Sequence, residues 1–558
     1  MYNIFNKSIH RNFFGNLRGL RGKLNGFKRV NDDTMMQIEE KKEQLKENSN
    51  RIAKEVDQDL VISSVSAGIV TAGAFVYPPL TLVALPGLLY QSLDLAQEAF
   101  DSLKSKNQVS RAFLDLLVFG LCFSQGYYVL GSLALCSHYF ANNILFKSNQ
   151  EAYQTLSEAI GKEPSMAWLL KDQVEIEVQT KTLQVGQSVV IHPGELVPVD
   201  GLIVDGVALV DEHVLGGSAP PSIKNIGERV VCGNILLAGR IIVKIEHVGH
   251  STWMAEMTTE LTQATHNQTT LQRWGQRFSP IMGLSQLMGA GLASFMFGPM
   301  SIAAMMGARS DYNQIAPLEI ITWLEESLQN GIFIRNIHAL EVLKQVDTMV
   351  IDDAMNQLSA EERTCLINQL RTHKITSVYL LATTSAPEEA PLAVGHYLTK
   401  ITKQDKVKLL AQLQADGATV CYIGETIEPE IQKNTAVSIG LFNTASKKDS
   451  LADILLMDPS LKHVNLLLNM ANAFNRQSKN TFITSITPAL VALSAPFLFK
   501  SGLLVTVALN QIGLLSGLKQ AKRGNRADKS LFNINKLMKK WNGIEYETTA
   551  TLSQPSRL

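Results

Sequence analysis

Residues Val346 to Leu358 read VDTMVIDDAMNQL, and the class of fold turns on this stretch. Thr348 to Ile351 is a short β-prone run that leads into two acids, Asp352 and Asp353, after which the pattern breaks. A strand ending in a carboxylate is how a parallel α/β sheet presents chemistry, because such folds place their sites outside the carboxyl ends of their strands. The same arrangement also serves as a turn or a helix cap, so the pair takes its meaning from the segments around it. Downstream the periodicity predicts a helix at Ala360 to His373, a strand at Thr376 to Leu381, a helix at Asp405 to Ala415 and a strand at Thr419 to Ile423. Strands follow at Ala436 to Leu441 and Ala452 to Met457. That alternation is the signature of an α/β unit.

A chain of 558 residues is too long for one ordinary domain. Its 51 Lys and Arg balance its 51 Asp and Glu, which points away from a nucleic-acid binder. Five cysteines, Cys122, Cys136, Cys232, Cys365 and Cys421, lie far apart with no CxxC pair. They supply neither a disulfide framework nor a thiolate metal site, and fit a reducing compartment. Charged residues are only 18% of the chain, and the deficit is concentrated in paired apolar runs. Val61 to Tyr77 and Leu80 to Leu93 flank Pro78-Pro79. Phe113 to Phe146 is interrupted by Asp115, by His138 and by the polar Ser124-Gln125-Gly126. Pro280 to Gly307 is broken at Gly298-Pro299, and Thr481 to Phe499 is hinged at Lys500 to Ser501 to Leu518. A bilayer core needs about 20 apolar residues per helix, so these runs predict short hairpins of a polytopic membrane protein. Residues 1 to 30 are basic and free of acid; they read either as a membrane-surface segment or as a basic arm, and not as a secretory signal. Met35 to Asp59 reads as a charged, solvated helix. The basic start and the basic tail, Lys519 to Lys529, are both expected on the cytoplasmic side, which requires an even number of crossings.

Gln173 to Gly249 reads as a small β domain, with short β-rich runs separated by Gly, Pro and Asp turns. Within it stand Pro193-Gly194-Glu195-Leu196-Val197-Pro198-Val199-Asp200-Gly201, Val210-Asp211-Glu212 and Leu215-Gly216-Gly217-Ser218. These runs resemble the actuator domain of heavy-metal P-type ATPases, where the family carries PGExxPVDG, VDES and LTGES. The resemblance continues through Leu271 to Phe278, through Ala316-Pro317 at the family's Thr-Pro, and through Gly331 to Asn336 with Ala339-Leu340-Glu341 at its GILIKGGEALE. It therefore spans roughly Val61 to Lys522, and makes Asp352 the counterpart of the aspartate that accepts a phosphoryl group.

The departures from the family are concentrated in the reactive motifs. Where the TGE glutamate would position water, this chain has Ser218, which cannot act as a carboxylate base at neutral pH; losing a general base costs roughly 10²–10⁴-fold. The family's DKTGT is Asp352-Asp353-Ala354-Met355-Asn356, with an acid in place of the lysine. A unit-charge interaction at ~4 Å is worth ~4 kcal/mol at an effective dielectric of ~20, and here its sign is reversed. The magnesium loop GDGxND is Gly424-Glu425-Thr426-Ile427-Glu428-Pro429. Magnesium demands near-ideal octahedral geometry, so Glu425 and Glu428 count only as vestigial ligands. Lys406 matches a lysine that contacts the phosphoryl group in the family, and reads equally as a first-turn surface lysine. The interval from Asp352 to Gly424 is too short for the family's nucleotide-binding domain. At the family's CPC position stands Ala308-Arg309-Ser310, without the thiolates or imidazoles that soft metals need. Arg309 is expected either to pair with Asp311 or to sit at the membrane interface.

The fold expected is a multi-domain membrane protein: an α-helical transmembrane bundle with a β-rich actuator-like domain and an α/β haloacid-dehalogenase-like (Rossmannoid) domain. Its segments are a basic arm and charged helix (1–60), two transmembrane hairpins (61–146), the actuator-like domain (147–270) and a third hairpin (271–330). A truncated phosphorylation-like domain (331–475), a last hairpin (476–520) and a basic tail (521–558) complete it. The function expected is that of a catalytically inactive P-type ATPase-like membrane protein, structural, interacting or regulatory, in contact with the lipid bilayer and with a protein partner or a second copy, but not with nucleic acid. No catalytic residue, cofactor or metal site is assigned; Asp352, Lys406 and Ser218 are vestigial catalytic candidates. The rivals are an active heavy-metal cation-transporting ATPase phosphorylated on Asp352, with ATP and magnesium as cofactors, and a phosphatase-like module using Asp352 and Asp353.

Overall fold

The computed structural model describes residues 32–106, 111–160, 164–212, 221–298, 300–352, 360–373, 375–382, 396–442, 451–457, 461–499 and 503–523. The basic arm, nearly all of the basic tail, Gly216-Gly217-Ser218, Asp353 and Lys500 lie outside them. Four helices come first: α1 (Asp32–Phe75), α2 (Leu80–Lys106), α3 (Arg111–Ser124) and α4 (Tyr128–Ile160). The turn between α1 and α2 falls at Pro78-Pro79, where proline offers no N–H to continue the helical ladder. α1 packs against α2 and α4, and α2 against α3. This contact buries Val70, Leu88, Leu95, Phe119, Leu135 and Tyr139 together.

An antiparallel sheet follows, built from β1 (Met166–Lys171), β2 (Val174–Gln179), β3 (Ser188–Ile191), β4 (Asp200–Asp211), β5 (Ser222–Lys224), β6 (Arg229–Val230) and β7 (Ile235–His247). Its order is β2-β1-β3-β7-β4-β5, with β6 also paired to β4. Period-two patterning drives it: Ile241, Val243 and Ile245 of β7 point into the core while Arg240 and Lys244 point out. The inward face joins Val189, Ile191, Ile203, Val210 and Leu236. Gly206 has φ +90°, and a Cβ there would stand 2.1 Å from the Arg240 carbonyl oxygen of the paired strand. Gly227, at φ +88°, faces open space. Left-handed backbone costs a residue with a side chain about 1–2 kcal/mol, and Gly206 adds a backbone collision to that. Gly206→Ala is therefore expected to lower the melting temperature well below that of Gly227→Ala; equal shifts in thermal unfolding would refute the close approach.

The chain next runs through α5 (Trp253–His266), α6 (Thr270–Phe297), the short α7 (Met300–Gly307) and α8 (Tyr312–Gln329). Gly298, at φ +86°, ends α6 as the Gly298-Pro299 pair predicts. Glu341 has a structural use here, accepting the Thr270 N–H at 2.9 Å and so satisfying an orphan donor in the first turn of α6. Among the described residues two helical stretches, Arg51–Phe75 and Tyr128–Leu156, are long and apolar enough to cross a membrane, and Ala112–Ser124 and Gly283–Phe297 are shorter apolar helices. The four hairpins read from the sequence include the eight-residue α7, too short to cross alone.

The second sheet comprises β8 (Ile332–Ile334), then, after α9 (His338–Leu343), β9 (Thr348–Asp352). After α10 (Ala360–Thr372) come β10 (Ser377–Ala382) and β11 (His396–Thr399), then α11 (Lys403–Ala415), β12 (Val420–Gly424), α12 (Pro429–Lys433), β13 (Val437–Leu441) and β14 (Ile454–Leu456). The strand order is β11-β10-β9-β12-β13-β14-β8. All neighbours are parallel except β14 and β8. The predicted helices and strands of this unit are present within one or two residues. β8 and the edge strand β11 were not predicted. Helices α13 (Lys462–Phe499) and α14 (Leu503–Ala521) pack on each other and close the described chain.

Candidate functional site

β9 lies inside the sheet, with β10 and β12 on either side, so Asp352 ends a strand at the point where the strand order reverses. Open α/β sheets bind their ligands in the crevice at such a point. Alternation along β9 sends Met349 and Ile351 into one core and Val350 into the other. Asp352 continues the Val350 side, where two further groups arrive. Tyr422 of β12 is in register with Val350, so its ring extends along the same face towards the strand end. In α11, Lys406 shares the buried stripe of Leu410 and Leu413, at the i, i+4, i+7 spacing of a helix face. Thr402 caps that helix by accepting the Asp405 N–H.

The three side chains converge on one oxygen. Lys406 Nζ lies 2.5 Å from Asp352 Oδ2, with the two side chains 9% and 13% exposed. The Tyr422 hydroxyl donates to the same Oδ2 at 2.5 Å. Asp352 Oδ1 is buried without a hydrogen-bond partner among the described residues. Lys406 is thus a buried partner of the strand-end aspartate and not a surface lysine. The ring of Tyr422 lies over Gly424: a Cβ on that glycine would stand 2.9 Å from Tyr422 Cε1.

The loop after β12 is turned to other uses. Ile427 is fully buried in the core beneath it. Glu428 precedes Pro429 as the N-cap residue of α12, and its Oε1 meets Lys403 Nζ at 2.6 Å. That hydrogen bond, and then the charge of Glu428, hold the Lys403 ammonium above the ordinary lysine range. Glu425 is half-buried at the head of the loop. Among the described residues no three His, Cys, Asp or Glu side chains gather as a metal-binding group. Cys421, on the opposite face of β12, is fully enclosed, and burial followed by the Asp453 carboxylate pushes its thiol up, which makes it inert. Of the sequence candidates, the structure brings Asp352 and Lys406 together and turns Glu428 to Lys403, while Ser218 lies outside the described residues. Tyr422 was missed; the only signal was its position two residues before Gly424 on a buried strand.

The helical region adds a long-range contact. Asp311 starts α8, its carbonyl accepting the N–H groups of Gln314 and Ile315. The Arg309 guanidinium reaches α3, where Nη1 lies 3.0 Å from Asp115 Oδ2.

An antiparallel sheet carrying the PGE and PVDG turns is followed by a parallel sheet with an aspartate at its switch point. Residues 161–262 match the P-type ATPase actuator domain. Copper-exporting P-type ATPase B of Archaeoglobus fulgidus is 28% identical over 44% of this chain and 37% of its own length. A probable copper-exporting P-type ATPase V of Mycobacterium tuberculosis is 31% identical over 36% of this chain and 27% of its own. A crystal structure of a zinc-transporting PIB-type ATPase in the E2.Pi state covers 84% of this chain at 15% identity, with a TM-score of 0.45. The chain thus carries a P-type ATPase actuator domain and is similar to heavy-metal P-type ATPases, and it spans about a quarter to a third of the length of the curated relatives that it matches.

Proposed function

We propose that this chain is an integral, multi-pass membrane protein on a heavy-metal P-type ATPase scaffold that has given up phosphorylation and transport, and that it acts as a structural, interaction or regulatory component. Both basic ends lie on the cytoplasmic side in this reading, the helical segments form a transmembrane bundle, and the partner is a protein or a second copy of the chain. The observation that carries it is the clamp on Asp352. An aspartate that attacks phosphorus needs an oxygen with an open lone pair and an in-line path. Here Oδ2 is held by an ammonium and a phenol, and Oδ1 is buried. Asp353 in place of a lysine and the engagement of Glu428 with Lys403 support the same reading.

One observation favours the rival, an active heavy-metal cation transporter phosphorylated on Asp352: the contact between Asp352 and Lys406 is one that a phosphorylation site would also use. Several relatives are named as copper exporters, which suits that rival. Incubating purified full-length protein with labelled ATP and magnesium decides between them. No acid-stable, hydroxylamine-sensitive phosphoprotein is expected from the wild type. Label that forms on it and disappears in Asp352→Asn would overturn the inactive reading.

A further inference from the structure

Three helices end their exposed apolar stripes in cations, and they do so at one end of the bundle. On α6, Arg273 and Arg277 are exposed, and the same face continues through exposed Leu284, Met288 and Phe295. Steps of four and seven residues keep side chains on a single stripe of a helix. α13 repeats the pattern with Lys479, Ile483 and Leu490, and α14 repeats it in the reverse chain direction with Lys519, Leu515 and Ile512, all of them exposed. Gln477 Nε2 of α13 donates to the Gln520 carbonyl of α14 at 3.0 Å, so Lys479 and Lys519 stand at the same end of that pair. Trp274 of α6 meets Phe482 of α13 edge-on, with ring centroids 5.9 Å apart, and still leaves half of its surface exposed. That contact brings Arg273 and Arg277 to the level of Lys479.

The sequences of α6, α13 and α14 contain no acidic residue. Across the bundle the same level is acidic. α4 relates the two sides: its Lys147 pairs with Asp57 of α1 at 2.9 Å, and its Glu151, one turn further on, pairs with Lys522 of α14 at 3.1 Å. Beside Asp57 lie Asp59 of α1 and Asp94 of α2, the latter exposed, and Gln91 ties the two helices together by donating to the Asp59 carbonyl at 2.7 Å. From Arg277 to Leu284 the rise is about 10 Å, the offset between a headgroup phosphate and the acyl chains beneath it. A guanidinium matches a phosphate bidentately, and an indole favours the headgroup level, where one edge is wet and the other apolar. A zwitterionic lipid offers the same chains but cancels its phosphate charge with an ammonium. Only a lipid of net negative charge complements both halves of these stripes.

We propose that the side of the helical region formed by α6, α13 and α14 is a binding surface for anionic phospholipid, with Arg273 and Arg277 on the headgroup phosphate, Trp274 beside it and the acyl chains along Leu284 and Met288. Lys479 and Lys519 extend the same cationic rim. The inference rests on the reading of this region as membrane-spanning, and goes beyond it by giving the bundle a preferred lipid and a preferred side. It is independent of the chemistry at Asp352.

The test is quenching of tryptophan emission by brominated lipids in full-length protein reconstituted into phosphatidylcholine bilayers, with the Trp274 share taken as the difference from Trp274→Phe. Brominated phosphatidylglycerol should associate with the wild type about tenfold more tightly than brominated phosphatidylcholine, since each cation near the surface adds a few-fold of attraction to anionic lipid. Arg273→Gln combined with Arg277→Gln should bring the two lipids within about threefold of each other. Arg51→Gln combined with Lys54→Gln, an equal loss of charge on α1, should leave the preference in place. In the wild type, salt at about 1 M should erase it, because exposed charges are then screened beyond about 3 Å; this arm needs no variant to fold. Equal association of both lipids with the wild type would overturn the proposal, as would a preference that survives the arginine variant or high salt, or that falls equally in the α1 variant. Alkaline carbonate extraction keeps the two readings apart: protein stripped from the vesicles overturns the membrane reading and this surface with it, whereas protein retained without a lipid preference overturns the surface alone.

Discussion

Lys406→Met is expected to cost this protein about 3–5 kcal/mol, because it leaves the Asp352 carboxylate buried beside the Tyr422 phenol without its cation. The loss should be visible as an earlier thermal transition and faster proteolysis of full-length protein in detergent. The informative variant is the double one, Lys406→Met with Asp352→Leu, which replaces both charges with apolar groups. Buried ion pairs often contribute little over a well-packed apolar pair, since removing two charges from water offsets most of their attraction. The double variant should therefore recover most of the lost stability and give a large coupling energy in the double-mutant cycle. Under the inactive reading it should also retain whatever partner the protein binds in native membranes. If the double variant is as unstable as Lys406→Met alone, the pair is not the isolated clamp described, and the account of Asp352 as a sealed group fails.

The visibility of this site in the sequence was uneven, for physical reasons. β9 could be read because a parallel strand buried on both faces is a continuous apolar run, and its end is marked by acids that cannot be buried unpaired. Lys406 was identified only through resemblance to a family, since a lysine in the first turn of a helix has the same local signal whether it faces water or a carboxylate. Tyr422 signalled only its place: its sequence neighbours fix that it lies on a buried strand, while its hydroxyl's target belongs to a strand 70 positions earlier. Arg309 illustrates the same limit. The sequence offered the near Asp311 or the membrane interface, whereas a carboxylate that it reaches lies 194 positions away on α3. That partner was nevertheless flagged, because Asp115 and His138 stood out as interruptions of an apolar run, and charges inside helical cores must find one another.

The motif that survived best has a use that explains its survival, and it carries the other large prediction. Asp200 of the PVDG turn is 2% exposed. Its Oδ1 accepts the Cys232 N–H at 2.8 Å and its Oδ2 the Trp253 N–H at 2.7 Å. Gly201 follows because a Cβ there would stand 2.2 Å from the Lys244 carbonyl oxygen. One carboxylate thus fastens the loop after β6 and the first residue of α5 to the start of β4. None of this involves phosphate, nucleotide or metal, so a chain released from catalysis would still need it to fold. Asp200→Ala strands two buried backbone N–H groups at about 1–3 kcal/mol each, giving an expected loss of about 2–5 kcal/mol. Asp200→Asn tests the cause more sharply: it keeps the shape, yet turns one acceptor into an amide donor facing an N–H. It should destabilise the chain nearly as much, whereas Asp172→Asn, in an exposed turn at φ 51°, should stay within about 0.5 kcal/mol of wild type. Thermal unfolding followed by tryptophan emission, to which the buried Trp253 contributes, measures both. A silent Asp200→Asn would mean that the turn is held by packing and not by its carboxylate.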